Sequence, residues 1–237
     1  MELVYPPVVA FAKTMFRVLD MRITIEGAEH IPAAGGAVLA SNHVSYLDFI
    51  FCGLAAQPAR RLVRFMAKKS VFDHRVSGPL MRGMKHIPVD RQAGTAAFRE
   101  AEAALRHGEV VGVFPEATIS ESFTVKALKS GAARLAHSAQ VPLVPMVVWG
   151  PHRLWTKGRP KDLTKRHVPV LIKVGAPVPV TAVIEETTRV LRERLSGLLD
   201  SAQRAYPEKP AHDGDRWWLP AHLGGTAPRP DVTAAGA

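Results

Sequence analysis

The chain has 237 residues, of which 47% are hydrophobic and 22% charged, and its formal net charge is +10 at pH 7. This length forms one large domain, or a domain with appendages, and buries a sizeable core. The single cysteine, Cys52, excludes an intramolecular disulfide and a cysteine-built metal site, and it fits a reducing compartment. The positive charge favours an anionic partner: nucleic acid, an acidic membrane surface or a phosphorylated substrate. Because the sequence has no RNP, zinc-finger or basic-zipper pattern, nucleic acid is not expected.

Residues 3–19 combine many apolar side chains with Lys13 and Arg17, which predicts a short amphipathic helix. Such a helix either packs on its own domain or lies on a membrane surface. Glu2 precedes the apolar stretch and no basic segment leads it, so a secretory signal is not predicted. No apolar run reaches the ~18 residues expected of a transmembrane helix.

Further along the chain, predicted strands alternate with predicted helices. The predicted strands cover residues 21–26, 36–40, 63–67, 85–89, 110–114, 141–149 and 168–174. Helices are predicted at residues 47–56, 93–106, 130–139 and 181–206, with another beginning near residue 77. This order predicts an α/β domain with a mixed, largely parallel sheet flanked by helices.

The chain therefore divides into an amphipathic helix (residues 1–20), an α/β domain (21–206) and a tail (207–237). The tail is rich in proline, glycine and alanine and is predicted to be irregular. Trp217 and Trp218 within it need an apolar partner, which is either the domain itself or a membrane interface.

A polar segment joins the strand at 36–40 to the helix at 47–56, where α/β scaffolds commonly present reactive groups. Histidine exchanges a proton near neutral pH, so His43 is a candidate base. Asp48, five positions later, can fold back across one helical turn and hold one imidazole nitrogen, which leaves the other nitrogen free. In the alternative interpretation, Ser41 or Asn42 caps the helix and His43 is only a junction residue.

Two further stretches place polar residues after predicted strands. Arg91 offers a planar set of donors that matches phosphate oxygens, with Asp90 to orient it, or the two form an ordinary surface pair. Glu116 lies at the carboxyl end of a strand, where α/β sheets gather ligand sites. It either binds a substrate hydroxyl beside Thr118 or accepts hydrogen bonds from local backbone donors.

In this order, the stretches resemble the phospholipid and glycerolipid acyltransferase family. The residues that match its four motifs are Asn42, His43 and Asp48; Gly83, Ile87, Asp90 and Arg91; Phe114, Pro115, Glu116, Thr118 and Ser120; and Val141, Pro142 and Pro145. The segment 67–69 also resembles a family segment whose lysine meets the acceptor phosphate. The resemblance spans roughly residues 23–179.

The resemblance implies that His43, held by Asp48, removes a proton from an acceptor hydroxyl as it attacks an acyl thioester. Backbone N–H groups near the junction would stabilise the oxyanion. The implied substrate-binding residues are Lys68, Arg91, Glu116, Thr118 and Ser120. The co-substrate is acyl-CoA or acyl carrier protein, and neither a cofactor nor a metal is expected.

The expected acceptor is 1-acylglycerol-3-phosphate, which would give phosphatidate for phospholipid biosynthesis. Ala117 stands where the family usually has glycine, and Ile119 stands where it usually has an arginine that helps to hold the acceptor phosphate. Candidate replacements for that arginine are Lys68, Arg91, Lys126 and Lys129. The alternatives are another lysophospholipid or glycolipid acceptor, a thioester hydrolase, and a non-catalytic lipid- or nucleic-acid-binding protein.

A lipid substrate favours the membrane interpretation of the N-terminal helix. Together with the net positive charge, the helix would hold the protein peripherally on the cytoplasmic face of an anionic membrane. Residues 49–54 and 71–72 are the expected walls of a groove for the acyl chain.

Overall fold

The structure is a computed structural model that describes residues 2–90 and 94–230. The strands are β1 (Arg22–Glu26), β2 (Ala37–Ser41), β3 (Val63–Lys68), β4 (Ile87–Val89), β5 (Val110–Val113), β6 (Leu143–Trp149) and β7 (Pro169–Val174). The α-helices are α1 (Tyr5–Val18), α2 (Asp48–Ala55), α3 (Lys69–Asp73), α4 (Ser77–Gly83), α5 (Gly94–Arg106), α6 (Gly131–Ala139) and α7 (Ile184–Arg204). Short 3-10 helices lie at Ala28–His30, Pro151–Arg153, Asp213–Trp218 and Ala221–Leu223.

Within the described residues, the strands form one seven-stranded sheet in the order β1-β7-β6-β2-β5-β3-β4. Every neighbouring pair is parallel except β6 and β7, which are antiparallel. The predicted mixed, largely parallel α/β architecture is confirmed. The parallel strands β2, β5 and β6 are buried along their whole length and, apart from Ser41, apolar, as expected for strands covered on both faces.

Alternate residues of the central strands contribute to two separate cores. In β2, Val38 and Ala40 pack with residues of α5, α6 and α7 on one face of the sheet. Ala37 and Leu39 point to the opposite face and pack with residues of α1 and α2. The sheet is therefore the middle layer of three, with helices on both sides.

The N-terminal helix α1 packs on the domain through its buried residues Tyr5 and Phe16. The Tyr5 hydroxyl donates a hydrogen bond of 2.9 Å to the carbonyl of Val63. Just before the helix, Glu2 forms an ion pair with the buried Arg64 at 2.6 Å. No helix in the described part of the chain combines the length and apolar character that a membrane span requires.

The C-terminal segment also docks on the domain. Trp218 is fully buried in the core on the α7 side of the sheet, and its carbonyl lies 3.0 Å from Nε2 of His152. Trp218 therefore packs against the domain itself, which is one of the two partners considered for the tryptophans.

Several element boundaries differ from the predicted ones for local reasons. The extended segment predicted from residue 85 begins at Ile87, because Lys85 adopts a left-handed backbone with φ of 56°. The strand predicted at 36–40 continues to Ser41, and the helix predicted from residue 181 begins at Ile184. The short helix α3 was not predicted.

Candidate active site

The predicted site residues follow strands that are neighbours in the sheet. The carboxyl ends of the parallel strands β2, β5, β3 and β4 lie side by side at one edge. They lead to His43, to Glu116, to Lys68 and to Asp90 respectively. Because adjacent strands lie about 4.8 Å apart, these stretches line one crevice. Arg91 lies outside the described residues.

His43 and Asp48 are in direct contact. Nδ1 of His43 lies 3.0 Å from Oδ2 of Asp48, and the same oxygen accepts 2.8 Å hydrogen bonds from the backbone N–H groups of Val44 and Ser45. Burial raises the pKa of Asp48, because the carboxylate loses its hydration, and the three donors offset part of that rise. Since Nδ1 faces the carboxylate, Nε2 is the nitrogen that can accept a proton.

The His43 side chain is 21% exposed, and its ring stacks on that of Phe114 with the centroids 4.4 Å apart. The preceding residue, Asn42, is fully buried, and its amide exchanges hydrogen bonds of 3.1 and 2.8 Å with the backbone of Val148 in β6. The residue before α2 is Leu47, so neither Ser41 nor Asn42 caps that helix. The helix-capping interpretation is therefore wrong.

Both carboxylate oxygens of Glu116 accept hydrogen bonds from the backbone. Oε1 accepts from the N–H of His43 at 2.9 Å, and Oε2 accepts from the N–H of Lys126 at 3.0 Å. Burial raises the pKa of Glu116 to about 7, against the opposing effects of these donors and of the nearby Lys126 and His43 charges. Of the two predicted roles of Glu116, the structure shows the acceptance of hydrogen bonds from local backbone donors. Its contact with a substrate hydroxyl stays a prediction.

Thr118 and Ser120 differ in position. Thr118 is exposed, and its hydroxyl accepts a hydrogen bond from Nζ of Lys126. Ser120 is fully buried: its N–H donates to the carbonyl of His43 at 2.7 Å, and its hydroxyl donates to the carbonyl of Thr124 at 2.7 Å. Ser120 therefore holds the loop after β5 against the His43 backbone, and only Thr118 faces the solvent.

The two residues that depart from the family motif lie in this same turn. Ala117 adopts a left-handed backbone with φ of 60°, a conformation that glycine takes without strain. The Ile119 side chain is buried, so it brings no charge to the crevice.

The backbone N–H groups of the junction are not available to a substrate. Besides the three amides held by Glu116 and Asp48, the N–H of Tyr46 donates to the carbonyl of Trp155, and those of Leu47 and Asp48 donate to Ser45. The prediction that N–H groups near this junction stabilise an oxyanion is therefore wrong for residues 43–48.

Two supporting contacts come from a distant part of the chain that sequence reasoning missed. The Ser45 hydroxyl donates to the carbonyl of Trp155 at 2.7 Å, and the Thr156 hydroxyl donates to the carbonyl of Val44 at 2.6 Å. These two hydrogen bonds tie the loop that carries His43 to residues 155–156. Since these contacts join residues more than a hundred positions apart, no local pattern indicates them.

An apolar cavity lies between α1, α2 and β3. Its lining residues are Tyr5, Val8, Val9, Ala12, Lys13, Phe16, Phe49, Ile50, Gly53, Leu54, Phe65, Met84 and His86. Of the predicted wall at 49–54, Phe49, Ile50, Gly53 and Leu54 line the cavity, whereas residues 71–72 do not. The Phe65 ring stacks on Phe114, which in turn stacks on His43, so two aromatic rings lead from the cavity to the base.

Cys52 is fully buried and donates to the hydroxyl of Ser41, and burial raises the pKa of its thiol. It is a packed core residue and not a reactive thiolate. Among residues 2–90 and 94–230, no group of three or more His, Cys, Asp or Glu side chains is arranged to hold a metal ion.

The sequence model of the Acyltransferase family matches residues 22–149, which is more than half of the chain. The chain belongs to the acyltransferase family. The resemblance drawn from the four motifs is confirmed, and this acyltransferase is an O-acyltransferase enzyme.

Similar proteins agree with this assignment. The 1-acyl-sn-glycerol-3-phosphate acyltransferase of Bacillus subtilis is 31% identical over 150 residues, which cover 61% of this acyltransferase and 73% of the relative. That of Limnanthes douglasii is 32% identical over 155 residues, which cover 62% of this chain but only 53% of the plant protein. The crystal structure of the 1-acyl-sn-glycerophosphate (LPA) acyltransferase PlsC from Thermotoga maritima matches with a TM-score of 0.71 and 25% identity, over 86% of this chain and 81% of that one.

Proposed function

We propose that this acyltransferase moves a fatty acyl group from acyl-CoA or acyl carrier protein to the free hydroxyl of 1-acylglycerol-3-phosphate, giving phosphatidate for phospholipid biosynthesis. The observation that carries the proposal is the contact of His43 with Asp48 at the edge of the sheet that Glu116, Lys68 and Asp90 share. The relatives named for this reaction support the acceptor.

In the proposed mechanism, Nε2 of His43 takes the proton of the acceptor hydroxyl as its oxygen attacks the thioester carbonyl. The tetrahedral intermediate collapses, the carbon–sulfur bond breaks, and the thiolate leaves with the proton that His43 returns. Asp48 holds the imidazole orientation and stabilises the imidazolium that forms between the two steps. The mechanism forms no covalent acyl-enzyme.

The acceptor would lie in the crevice between the stretches at the carboxyl ends of β2, β5, β3 and β4. Lys68 and Thr118 are exposed there, and Arg91 follows Asp90 in the sequence. Their proposed contribution is to hold the hydroxyl in line with the thioester, so their loss acts through alignment. The acyl chain would extend past the Phe114 and Phe65 rings toward the apolar cavity, whose volume of about 50 Å³ accommodates only the end of the chain.

We place the enzyme peripherally on the cytoplasmic face of an anionic membrane, where its substrate and product reside. The support is the outer side of α1, where Phe11 is 70% exposed and Val18 61%, next to the basic Arg17. An exposed apolar row with basic neighbours matches a lipid interface with anionic headgroups.

The reaction is tested with purified protein, a long-chain acyl donor and lysophosphatidate in detergent or vesicles, following thiol release and phosphatidate together. We expect wild type to form phosphatidate and His43→Ala to lose activity by about 10²–10⁴-fold, the contribution of a positioned base. The matched control is His107→Ala, since His107 is exposed and precedes β5 at the opposite end of the strands.

Each other outcome has its own meaning. Thiol release without an acceptor would indicate a hydrolase, and product only with another lysolipid would change the acceptor. Unchanged activity in His43→Ala would overturn the mechanism. If neither thiol nor acylated product formed with any acceptor and either acyl carrier, the result would favour a binding protein.

A further inference from the structure

A phosphorylated acceptor needs positive charge close to its reacting hydroxyl. Its phosphate is attached to the carbon next to the one that carries that hydroxyl, so the phosphate must lie close to His43. A phosphate in a partly buried crevice is costly without a compensating cation. Ile119 supplies none, because its side chain is apolar and buried.

The backbone of Lys126 is fixed close to that of His43. Its N–H donates to Oε2 of Glu116, while the N–H of His43 donates to Oε1 of the same carboxyl group. One buried side chain therefore links the residue that carries the base to the residue that carries the cation. His43 and Lys126 are therefore held close together although they are far apart in the sequence.

The ammonium group of Lys126 is held over the turn after β5. Nζ donates to the hydroxyl of Thr118 and, at 3.4 Å, to the carbonyl of Ile119. Both partners are uncharged, and within residues 2–90 and 94–230 no carboxylate forms an ion pair with Lys126. An ammonium has three N–H donors, so two contacts leave its charge and at least one donor for a ligand.

We propose that Lys126 binds the phosphate of the acceptor and, with the Thr118 hydroxyl, makes this acyltransferase specific for a phosphate monoester. The inference rests on the proposed function, because it assigns the headgroup contact of that reaction. The ammonium group of Lys126 contacts the carbonyl of Ile119, so its charge lies beside the residue that stands where the family usually has arginine.

The other candidate lysines fit this position less well. Lys68 is exposed at the end of β3, and β5 separates it from the strand that leads to His43. Lys129 is exposed, and its backbone N–H donates a hydrogen bond to the carbonyl of Pro115. Of the three, Lys126 is the lysine whose ammonium contacts the turn itself.

The test compares wild type with Lys126→Met, Lys126→Arg and Lys129→Met. For Lys126→Met we expect the KM for lysophosphatidate to rise by about 10- to 100-fold, as for the loss of one charged hydrogen bond, with a much smaller change in kcat. Lys126→Arg keeps the charge and should restore most of the loss. Lys129→Met, in the same loop, should leave the KM unchanged.

A second readout is independent of turnover: calorimetric binding of sn-glycerol 3-phosphate, with uncharged glycerol as the reference ligand. Wild type should bind the phosphate ester, and Lys126→Met should bind it at least about tenfold more weakly. Lysophosphatidate turnover that is equal in wild type and Lys126→Met, or a loss found in Lys129→Met instead, would overturn the proposal while the function stands. Binding that depends on Lys126 without acyl transfer would support the phosphate site and contradict the proposed function. If wild type neither binds nor acylates phosphate esters, both fail.

Discussion

A single oxygen atom of Asp48 holds both the ring of His43 and the backbone of the loop that carries it. Oδ2 accepts from the imidazole and from two amides, whereas Oδ1 is buried without a partner in the described part of the chain. The carboxylate can therefore shape the loop through its hydrogen bonds and support the base through its charge. These two contributions can be separated by one substitution.

Asp48→Asn keeps an oxygen that can accept from the Val44 and Ser45 amides but removes the charge that stabilises the imidazolium. We expect kcat to fall by about 10²–10⁴-fold with the fold retained. Activity is measured with saturating acceptor, and folding by circular dichroism and thermal unfolding.

The chain offers a matched control for this substitution. His167 and Asp20 form the same kind of contact at 2.8 Å, but both side chains are 60% exposed. Asp20→Asn should change kcat by less than about twofold, since an exposed pair of this kind contributes little. Equal effects of the two substitutions would contradict a catalytic role for Asp48.

At this scale, the sequence predicts contacts within one local segment better than contacts between segments. The five-residue spacing suggested the contact of His43 with Asp48 as one of two alternatives, and the structure confirms the contact. In contrast, the bonds of Asn42 to Val148 and of Ser45 to Trp155 depend on how distant segments pack. The hydrogen bonds of Glu116 to two backbone amides were foreseen only as one of two alternatives.

Among the secondary-structure elements, helix α1 presents two apolar sides with different surroundings. Its inner side lines the cavity shared with α2, and its outer side exposes Phe11. Gly53 of α2 faces the inner side, where an added Cβ would lie 3.6 Å from the Tyr5 hydroxyl and 3.9 Å from the Phe65 ring, in ordinary contact. A larger side chain at residue 53 would extend into the cavity.

The two sides predict opposite effects of two substitutions. Phe11→Ser should weaken binding to anionic vesicles several-fold, because it removes an exposed aromatic ring, and should leave acyl-chain preference unchanged. Gly53→Leu should shift the preference to shorter acyl donors, at about 0.8 kcal/mol for each methylene excluded, and leave vesicle binding unchanged. Vesicle co-sedimentation and a series of acyl donors measure the two properties.

If both variants altered both properties, the cavity and the membrane surface would not be separate features of α1. If Gly53→Leu lowered activity equally for all donors, the acyl chain would not enter the cavity.

The kinds of element followed from hydrophobic periodicity, and their ends did not. Continuous apolar runs such as 110–114 and 141–149 correctly predicted the buried strands β5 and β6. The left-handed backbone of Lys85, which shortens β4, is set by the turn after α4, where the N–H groups of Lys85 and His86 bond back to that helix. Periodicity carries no information about such turns.

For the whole molecule, two buried histidines connect stability to pH. His86 accepts a hydrogen bond from the N–H of Phe65 and lies under α1, next to Tyr5. His152 packs on Trp149 and contacts the carbonyl of Trp218, so it supports the C-terminal segment. Burial lowers the pKa of His86 to about 4 and that of His152 to about 3, because both sites disfavour a charged ring.

The sign of the effect follows from proton binding by the two states. An unfolded histidine has a pKa of about 6.5, so below that pH the unfolded chain binds protons that the folded protein does not. Above pH 6.5 neither state is protonated at these rings, and they cause no pH dependence. Their contribution to the free energy of unfolding is therefore lost as the pH falls from about 6.5 toward 4.

Comparing each variant with wild type isolates one group, because all other titrations are common to both proteins. His86→Asn keeps an acceptor for the Phe65 N–H, and His152→Gln keeps a donor for the Trp218 carbonyl. Between pH 7.5 and 4.5, each variant should gain about 3 kcal/mol in the free energy of unfolding relative to wild type, since one pKa unit corresponds to about 1.4 kcal/mol. Urea unfolding at a series of pH values measures it.

Glu116 provides a comparison of opposite sign. Its folded pKa of about 7 is above the ordinary glutamate pKa of 4.5, so between these values the folded protein binds a proton that the unfolded chain does not. Wild type therefore loses stability as the pH rises through this range. Glu116→Gln should lower the free energy of unfolding by an amount that does not depend on pH, because its NH₂ group faces one of the two backbone N–H donors. Relative to wild type it should nevertheless gain stability toward high pH, whereas the histidine variants gain toward low pH. Slopes of the same sign in all three variants would contradict the view that burial of these individual side chains sets the pH dependence.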